Sequence, residues 1–350
     1  MAIKINIQDF TEKTKTTPVI DVRSPKEFET GHIPGAVNIP IFNDEERAVV
    51  GTVYKQQGKE TAIFKGLEIV GTKLRTFAEQ AREIAKNNKL LIYCWRGGMR
   101  SASMAWLFET VGLTCSVLNG GYKAYRKYGK NQLTKSDRIV ILGGYTGSGK
   151  TELLRKIKEQ GQQVLDLERL ANHKGSAFGA LGQEKQPVNE QFENLLIHEW
   201  LTFDLSKPVW VEDESHSIGS NWIPRELFDN MRKAPVIKIE LDKNIRVHRL
   251  VKEYALFDTK QLENCILKIS KRLGGQHAKK ALESLNNGEF TKAAEITLNY
   301  YDKSYNFGLN KRDKNSVYNV NLKTDNPEKN AEIIIEFARK NIFKANFSNV

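Results

Sequence analysis

The sequence predicts an α/β protein with two parallel-sheet domains in series, the second ending in a helical portion. Three observations carry that prediction. Short apolar runs alternate with polar loops and helix-period segments through both halves, the pattern of strands crossed over by helices. A stretch of glycines, basic and aromatic residues and turn formers at 119–137 interrupts the alternation once. The 350 residues, 40% hydrophobic and 27% charged, are enough for two cores. The domains are read as 1–130 and 131–350.

In chain order, 17–22 (Thr-Pro-Val-Ile-Asp-Val) and 89–93 (Lys-Leu-Leu-Ile-Tyr) read as short buried strands leading into polar loops. Residues 73–87 and 100–112 read as helices, the second stopped by Gly112. A new strand begins at Arg138 and runs into the glycine-rich GGYTGSGKTELL, with a helix after it. Strands recur at 163–167, 208–213 and 235–241; beyond 244 the pattern is helical except for a strand at 316–321. There is no internal repeat and no low-complexity tract.

Composition narrows the function classes. The longest apolar runs are strand-length and far short of a membrane span. The opening MAIKINIQDF lacks the apolar core and small-residue cleavage site of an export signal. Three cysteines, Cys94, Cys115 and Cys265, without CxxC spacing support neither a disulfide framework nor a zinc site. A reducing cytoplasm is the expected compartment. The net charge of +12, shared by both halves, favours a polyanionic partner.

Two loops carry the chemistry. Cys94-Trp95-Arg96-Gly97-Gly98-Met99-Arg100-Ser101 follows an apolar strand and precedes a helix. A cysteine at that place sits beside backbone N–H groups and a helix N-terminus, which favour its thiolate, as do the cations Arg96 and Arg100. Gly97 and Gly98 permit a tight turn, and the same cradle suits a tetrahedral oxyanion. The opposite reading, an inert core thiol, is assigned instead to Cys115 on a strand and Cys265 on an amphipathic helix. The second loop, Gly144-Tyr-Thr-Gly147-Ser148-Gly149-Lys150-Thr151, fits G-x-x-x-x-G-K-[ST], the Walker A pattern, between a strand and a helix. Its backbone would cradle a diphosphate, with Lys150 adding charge and Thr151 placed for Mg²⁺. Pro208-Val-Trp-Val-Glu212-Asp213-Glu214-Ser215 ends a strand in three carboxylates. Asp213 is the first choice for a metal shell and Glu214 the alternative.

Upstream, Asp21-Val-Arg23 after a strand and His32-Ile-Pro-Gly-Ala36 resemble the signature of the superfamily of rhodaneses and cell-cycle phosphatases. His32 is read as a satisfied structural histidine, and Asp21 with Arg23 as a charge pair shaping the active-site rim. Further segments extend the resemblance: Asp166-Leu-Glu-Arg-Leu-Ala-Asn-His-Lys-Gly-Ser-Ala-Phe-Gly179, Val211-Glu-Asp-Glu-Ser-His-Ser-Ile-Gly219, Glu45-Glu-Arg-Ala-Val-Val-Gly-Thr-Val-Tyr54 and Lys271-Arg-Leu-Gly-Gly275. With both loops, they resemble the tRNA 2-selenouridine synthase family over roughly residues 5–310. The resemblance implies a rhodanese-like domain followed by a P-loop domain, acting on the wobble 2-thiouridine of tRNA. It implies S-geranylation from geranyl diphosphate, then replacement of the geranylthio group by selenium from selenophosphate. It makes Cys94 the selenium carrier, as a cysteine-bound selenosulfide, and an enzyme supplying selenophosphate a partner. No tightly bound cofactor is implied, and the oligomeric state stays open.

Neither donor needs ATP, so the Walker loop is expected to hold geranyl diphosphate. Tyr122, Lys123, Tyr125, Arg126 and Lys127 offer cations and rings for an anticodon loop, and Arg246, Arg249, Lys268, Lys271 and Arg272 further charge. Trp95 either packs on the base or lines the rim of the sheet. The rival readings are a rhodanese-type sulfurtransferase fused to an ATP-dependent kinase or ATPase, an inactive tRNA or phosphate sensor, and a phosphatase using the Cys94-x5-Arg100 spacing.

Overall fold

The computed structural model describes residues 2–135 and 138–343 and divides into two compact units. One comprises Met1–Gln132 together with Glu193–His198; the other comprises Leu133–Phe192 and Glu199–Val350.

In the first unit, β1 (Ile3–Ile5), β2 (Val19–Asp21), β3 (Ala36–Asn38), β4 (Lys89–Tyr93) and β5 (Thr114–Leu118) form a wholly parallel sheet in the order β1-β5-β4-β2-β3. β4 is central, and Leu90, Leu91, Ile92 and Tyr93 are all buried, as helix-covered parallel strands require. The expected helices are present as Leu74–Ile84 and Met99–Thr110. Between β3 and β4 stand two helices the apolar pattern did not single out, Asp44–Gln57 and Lys59–Gly71. The first starts at an Asn43–Glu46 capping box and buries no residue, which is why its periodicity is weak.

The stretch 119–137 is more regular than its turn formers suggest. Most of it is a helix, Gly121–Leu133, and only 136 and 137 lie outside the described residues. Gly121, Tyr122, Tyr125, Gly129 and Leu133 are its buried positions, the last four spaced for one helical face.

The second unit has the parallel sheet β12-β11-β6-β8-β7, made of β6 (Ile139–Gly144), β7 (Gln163–Leu165), β8 (Val209–Glu212), β11 (Val236–Glu240) and β12 (Val317–Asn321). A small antiparallel pair, β9 (Ser217–Ile218) and β10 (Asn221–Trp222), follows β8. Every residue of β6 is buried. Between β11 and β12 the chain builds helices Lys243–Tyr254, Thr259–Leu273, Gly275–Asn286 and Phe290–Leu309. Three of them share a core of Leu262, Ile266, Ile269, Ala281, Leu285 and Ala293. The helical portion is therefore an excursion, and helix Pro327–Ala338 returns to the sheet by burying Ile334 and Ile335 in its core. Among the described residues no helix is long and apolar enough to cross a membrane.

Candidate active site

Cys94 follows the C-terminal end of β4, the edge at which open parallel sheets bind ligands. The loop is moulded by its neighbour. The Cys94 carbonyl accepts from Tyr122 N–H at 2.9 Å and the Trp95 carbonyl from Lys123 N–H at 3.1 Å. Gly97, at φ 64°, has no room for a Cβ, which would lie 2.4 Å from the Leu118 carbonyl oxygen. Gly121, at φ 60°, would place one 2.2 Å from the Cys94 carbonyl oxygen. Gly98 needs neither freedom: its φ is −96° and nothing lies within 4 Å of its missing side chain. Only the first glycine of the expected pair is thus demanded by the turn.

The Cys94 sulfur sits 3.2 Å from the Ser101 hydroxyl, which also lies within donating distance, 3.0 Å, of the Gly98 carbonyl. Cys94 itself is only 3% exposed, so the sulfur lies at the floor of the loop and not on its lip. The backbone N–H groups of Trp95 to Ser101 make no hydrogen bond among the described residues. A ring of uncommitted donors beside a thiol is what an oxyanion needs. Arg96 is exposed, with no ion pair among the described residues. Arg100 is not free to assist the sulfur as expected, because its guanidinium donates to Glu27 at 2.7 Å. Burial works against the Glu27 charge, but Arg100 outweighs it and holds that carboxyl below its ordinary value. Glu27 also closes the capping box of helix Pro25–Thr30.

The other thiols behave as core. Cys115 is buried, and desolvation pushes it up to about 12; Cys265 is buried and raised by the same cause. His32 fits its structural reading, with Nδ1 at 3.0 Å from the Phe28 carbonyl and its ring stacked on Phe28. Asp21 and Arg23 do pair, at 2.6 Å, but at 0% and 1% exposure they lie beneath the site and do not shape its rim. Arg23 donates onward to the Gly31 carbonyl and stacks 4.0 Å over the Tyr122 ring.

That contact corrects the nucleic-acid reading of the Gly121–Leu133 helix. Tyr122 and Tyr125 are buried; Asn194 donates to the Tyr122 hydroxyl at 2.7 Å, and the Tyr125 hydroxyl donates to the Asn194 carbonyl. Neither ring can stack on a base. Arg126 is held by Glu193 and the Asn194 side-chain oxygen. Lys123 and Lys127 stay exposed. Charge at the surface and rings in the core share one helix, which the sequence alone did not separate.

In the second unit, Gly144 to Thr151 leaves the end of β6 and opens helix Lys150–Glu159. Gly144, Gly147 and Gly149 all have positive φ (155°, 80° and 78°), so the loop curls with its amides turned to one side. The Ser148 hydroxyl is buried without a partner, and Lys150 Nζ rests on the Gly144 carbonyl at 3.0 Å. A hydroxyl and an ammonium are thus available where a phosphate would sit. The loop lines a pocket of about 1300 Å³ that also receives Lys174, Lys268, Lys271 and Arg272. Lys271 and Arg272 are exposed in it, as expected. Arg246 and Arg249 are not available: Arg246 is buried on Asp302 and Arg249 pairs with Glu152 and Asp325.

The strand-end carboxylates differ from expectation. Asp213 is taken by Arg312 at 2.6 Å and by the Tyr305 hydroxyl at 3.1 Å, leaving it unfit as a metal ligand. Thr151 donates instead to Glu168 at 2.8 Å. The residues present do not fit the expected Mg²⁺ shell. The Glu168 and Glu214 carboxyls are neighbours, and Glu168 disfavours the Glu214 charge. Burial first, then the Glu168 charge, push the Glu214 carboxyl up to about 8; burial likewise raises Glu168. Ser101, Glu27, Glu168 and Asn194 were all missed by sequence reasoning. Only Glu27 carried a local signal, as the fourth residue of the Ser24-x-x-Glu27 capping box.

A cysteine held under open amides and a separate phosphate-cradling loop, each at the edge of its own parallel sheet, make this a fusion of a rhodanese-like domain with a P-loop domain. Matches to known families agree: the rhodanese-like domain covers residues 6–128 and the tRNA 2-selenouridine synthase AAA domain residues 137–325. A tRNA 2-selenouridine synthase of Nitrosomonas europaea is 34% identical, over 90% of this chain and 95% of its own. One of Bdellovibrio bacteriovorus is 37% identical, over 84% and 89%. The chain belongs to the tRNA 2-selenouridine synthase family.

Proposed function

We propose that this chain is a cytoplasmic transferase that converts the wobble 2-thiouridine of tRNA to 2-selenouridine through an S-geranyl intermediate. The observation that carries the reading is the coexistence of two anion cradles of different chemistry in one member of that family, one beside a thiol and one on a Walker loop. In the first step the 2-sulfur attacks C1 of geranyl diphosphate; the C1–O bond breaks, the N3 proton is lost, and diphosphate leaves. Amides 144–151, Ser148 and Lys150 hold that diphosphate as its charge grows.

In the second step selenium from selenophosphate attacks C2, which alkylation has made electrophilic, and geranylthiolate leaves. Selenium in selenophosphate is already fully reduced, so a selenosulfide on Cys94 would need an oxidant. The balanced assignment replaces carriage with phosphoryl handling. The amides of Trp95–Ser101 and Arg96 hold the selenophosphate phosphoryl group, the Cys94 thiolate takes it from selenium as the selenonucleoside forms, and water then hydrolyses the S-phosphocysteine to phosphate and free thiol. An enzyme making selenophosphate would supply the donor. Lys123, Lys127, Lys271 and Arg272 are the exposed cations assigned to anticodon-loop phosphates.

The test is to incubate 2-thiouridine-containing tRNA with both donors, digest it, and weigh the nucleosides. Cys94→Ala should accumulate the S-geranyl nucleoside and form no selenonucleoside, whereas Lys150→Ala should stop before geranylation. Selenonucleoside formed by Cys94→Ala at the wild-type rate would refute the assignment.

A further inference from the structure

A second cavity lies in the helical excursion of the P-loop unit, walled by helices Lys243–Tyr254, Thr259–Leu273, Gly275–Asn286 and Phe290–Leu309. Its deep lining is hydrocarbon, including Leu262, Ile266, Leu285, Phe290 and Ala293. Two of the hydroxyls in its wall are already committed. The Thr297 hydroxyl bonds back to the carbonyls of Ala293 and Ala294, and the Tyr301 hydroxyl accepts from the Ala177 N–H. A site of that kind stays dry and takes apolar ligands.

This cavity and the phosphate pocket share walls. Thr146, Ser176, Leu250, Tyr254 and Tyr301 line both, and Thr146 belongs to the Walker loop itself. A molecule with a diphosphate on that loop therefore has an apolar chamber opening beside its ester end. The chamber measures about 70 Å³. That is roughly half of an engineered cavity that holds benzene, so it admits the branched end of a chain and not a long one.

We propose that this chamber takes the distal isoprenoid end of the diphosphate ester cradled by residues 144–151, and so measures the chain length of the donor. The inference rests on the proposed function for the diphosphate and adds where the hydrocarbon lies. The first carbons cross the shared rim at Thr146, Leu250 and Tyr301; the terminal five-carbon unit fills the space between Leu262, Leu285 and Ala294. A donor one unit longer finds no further room.

Calorimetry on the full chain with pyrophosphate, geranyl diphosphate and farnesyl diphosphate tests this. Ala294→Phe fills the chamber and should weaken geranyl diphosphate about tenfold or more while leaving pyrophosphate within about twofold. Phe290→Ala enlarges it and should raise farnesyl relative to geranyl affinity about tenfold, a gain that misfolding cannot imitate. An unchanged ratio of geranyl diphosphate to pyrophosphate affinity in both variants, or an equal loss of both ligands in Ala294→Phe without the farnesyl gain in Phe290→Ala, overturns the proposal. Pyrophosphate that fails to bind the wild type, or binds Lys150→Ala equally well, removes the diphosphate reading and the tail with it. That outcome is distinct from a normal pyrophosphate response with an indifferent tail.

Discussion

The cysteine loop and the Walker loop both leave a buried strand and enter a helix, yet they obtain their shapes differently. The first is pressed into form from outside: Gly97 abuts the Leu118 carbonyl, and Gly121 abuts the Cys94 carbonyl. The second has positive φ at Gly144, Gly147 and Gly149 and is hemmed mainly by side chains, Ile239 beside Gly144 and Arg249 beside Gly149. Their charges differ too. Arg100 is bound to Glu27, whereas Lys150 rests on a backbone carbonyl that it can leave. A loop that must fix one sulfur atom is braced on its neighbours. A loop that must wrap a polyanion keeps its donors loose.

The sharpest way to break this contrast is to add a methyl group. Gly121→Ala should destabilise the first unit by about 2–4 kcal/mol in thermal unfolding and abolish selenium incorporation, since both strain and a backbone clash result. Gly98→Ala, with nothing within 4 Å, should stay within about 0.5 kcal/mol of wild type. If the two behave alike, the external brace is not what shapes the loop.

The arginines separate next. Arg100→Ala removes the closest partner of Glu27, leaving Arg47 at 3.6 Å, and should cost about 1 kcal/mol of stability. Arg96→Ala should leave stability unchanged and raise the KM for selenophosphate several-fold, about 1 kcal/mol for one exposed cation on an anion.

Acidity distinguishes the loops further. With Glu214 raised to about 8, its carboxyl is protonated at neutral pH and opposes no diphosphate. A carboxyl whose folded value exceeds its unfolded one favours the folded state at low pH, and that contribution is lost as pH climbs toward 8. Geranyl diphosphate affinity should therefore fall as pH rises through about 8, and Glu214→Gln should flatten the fall. The smallest effects belong to Lys123→Ala and Lys127→Ala. Each should weaken tRNA binding modestly and reduce the slope of log affinity against log salt by about 0.7.

Much of this was legible in advance. The strand at 89–93 and the strand–loop–helix at 138–151 are marked by apolar runs that lead into glycine-containing loops, and both loops sit where those runs place them. What stayed hidden was partnership. Tyr122 and Tyr125 look like a basic-aromatic surface because adjacent lysines mask a helical period, and only Asn194, far along the chain, reveals them as core. Asp213 fits a strand-end metal ligand until Tyr305, from the last helix of the excursion, and Arg312, just beyond it, arrive. Local patterns report which groups are present; which of them neutralise one another depends on contacts between distant segments.

The Gly97–Gly121 approach also bears on biosynthesis. Made from its N-terminus, the chain presents Cys94 before the turn at Leu118–Gly121 exists to shape the surrounding amides. A nascent or truncated polypeptide ending short of that turn would thus lack the shaped ring of amides, which forms only when β5 and the helix after it have docked.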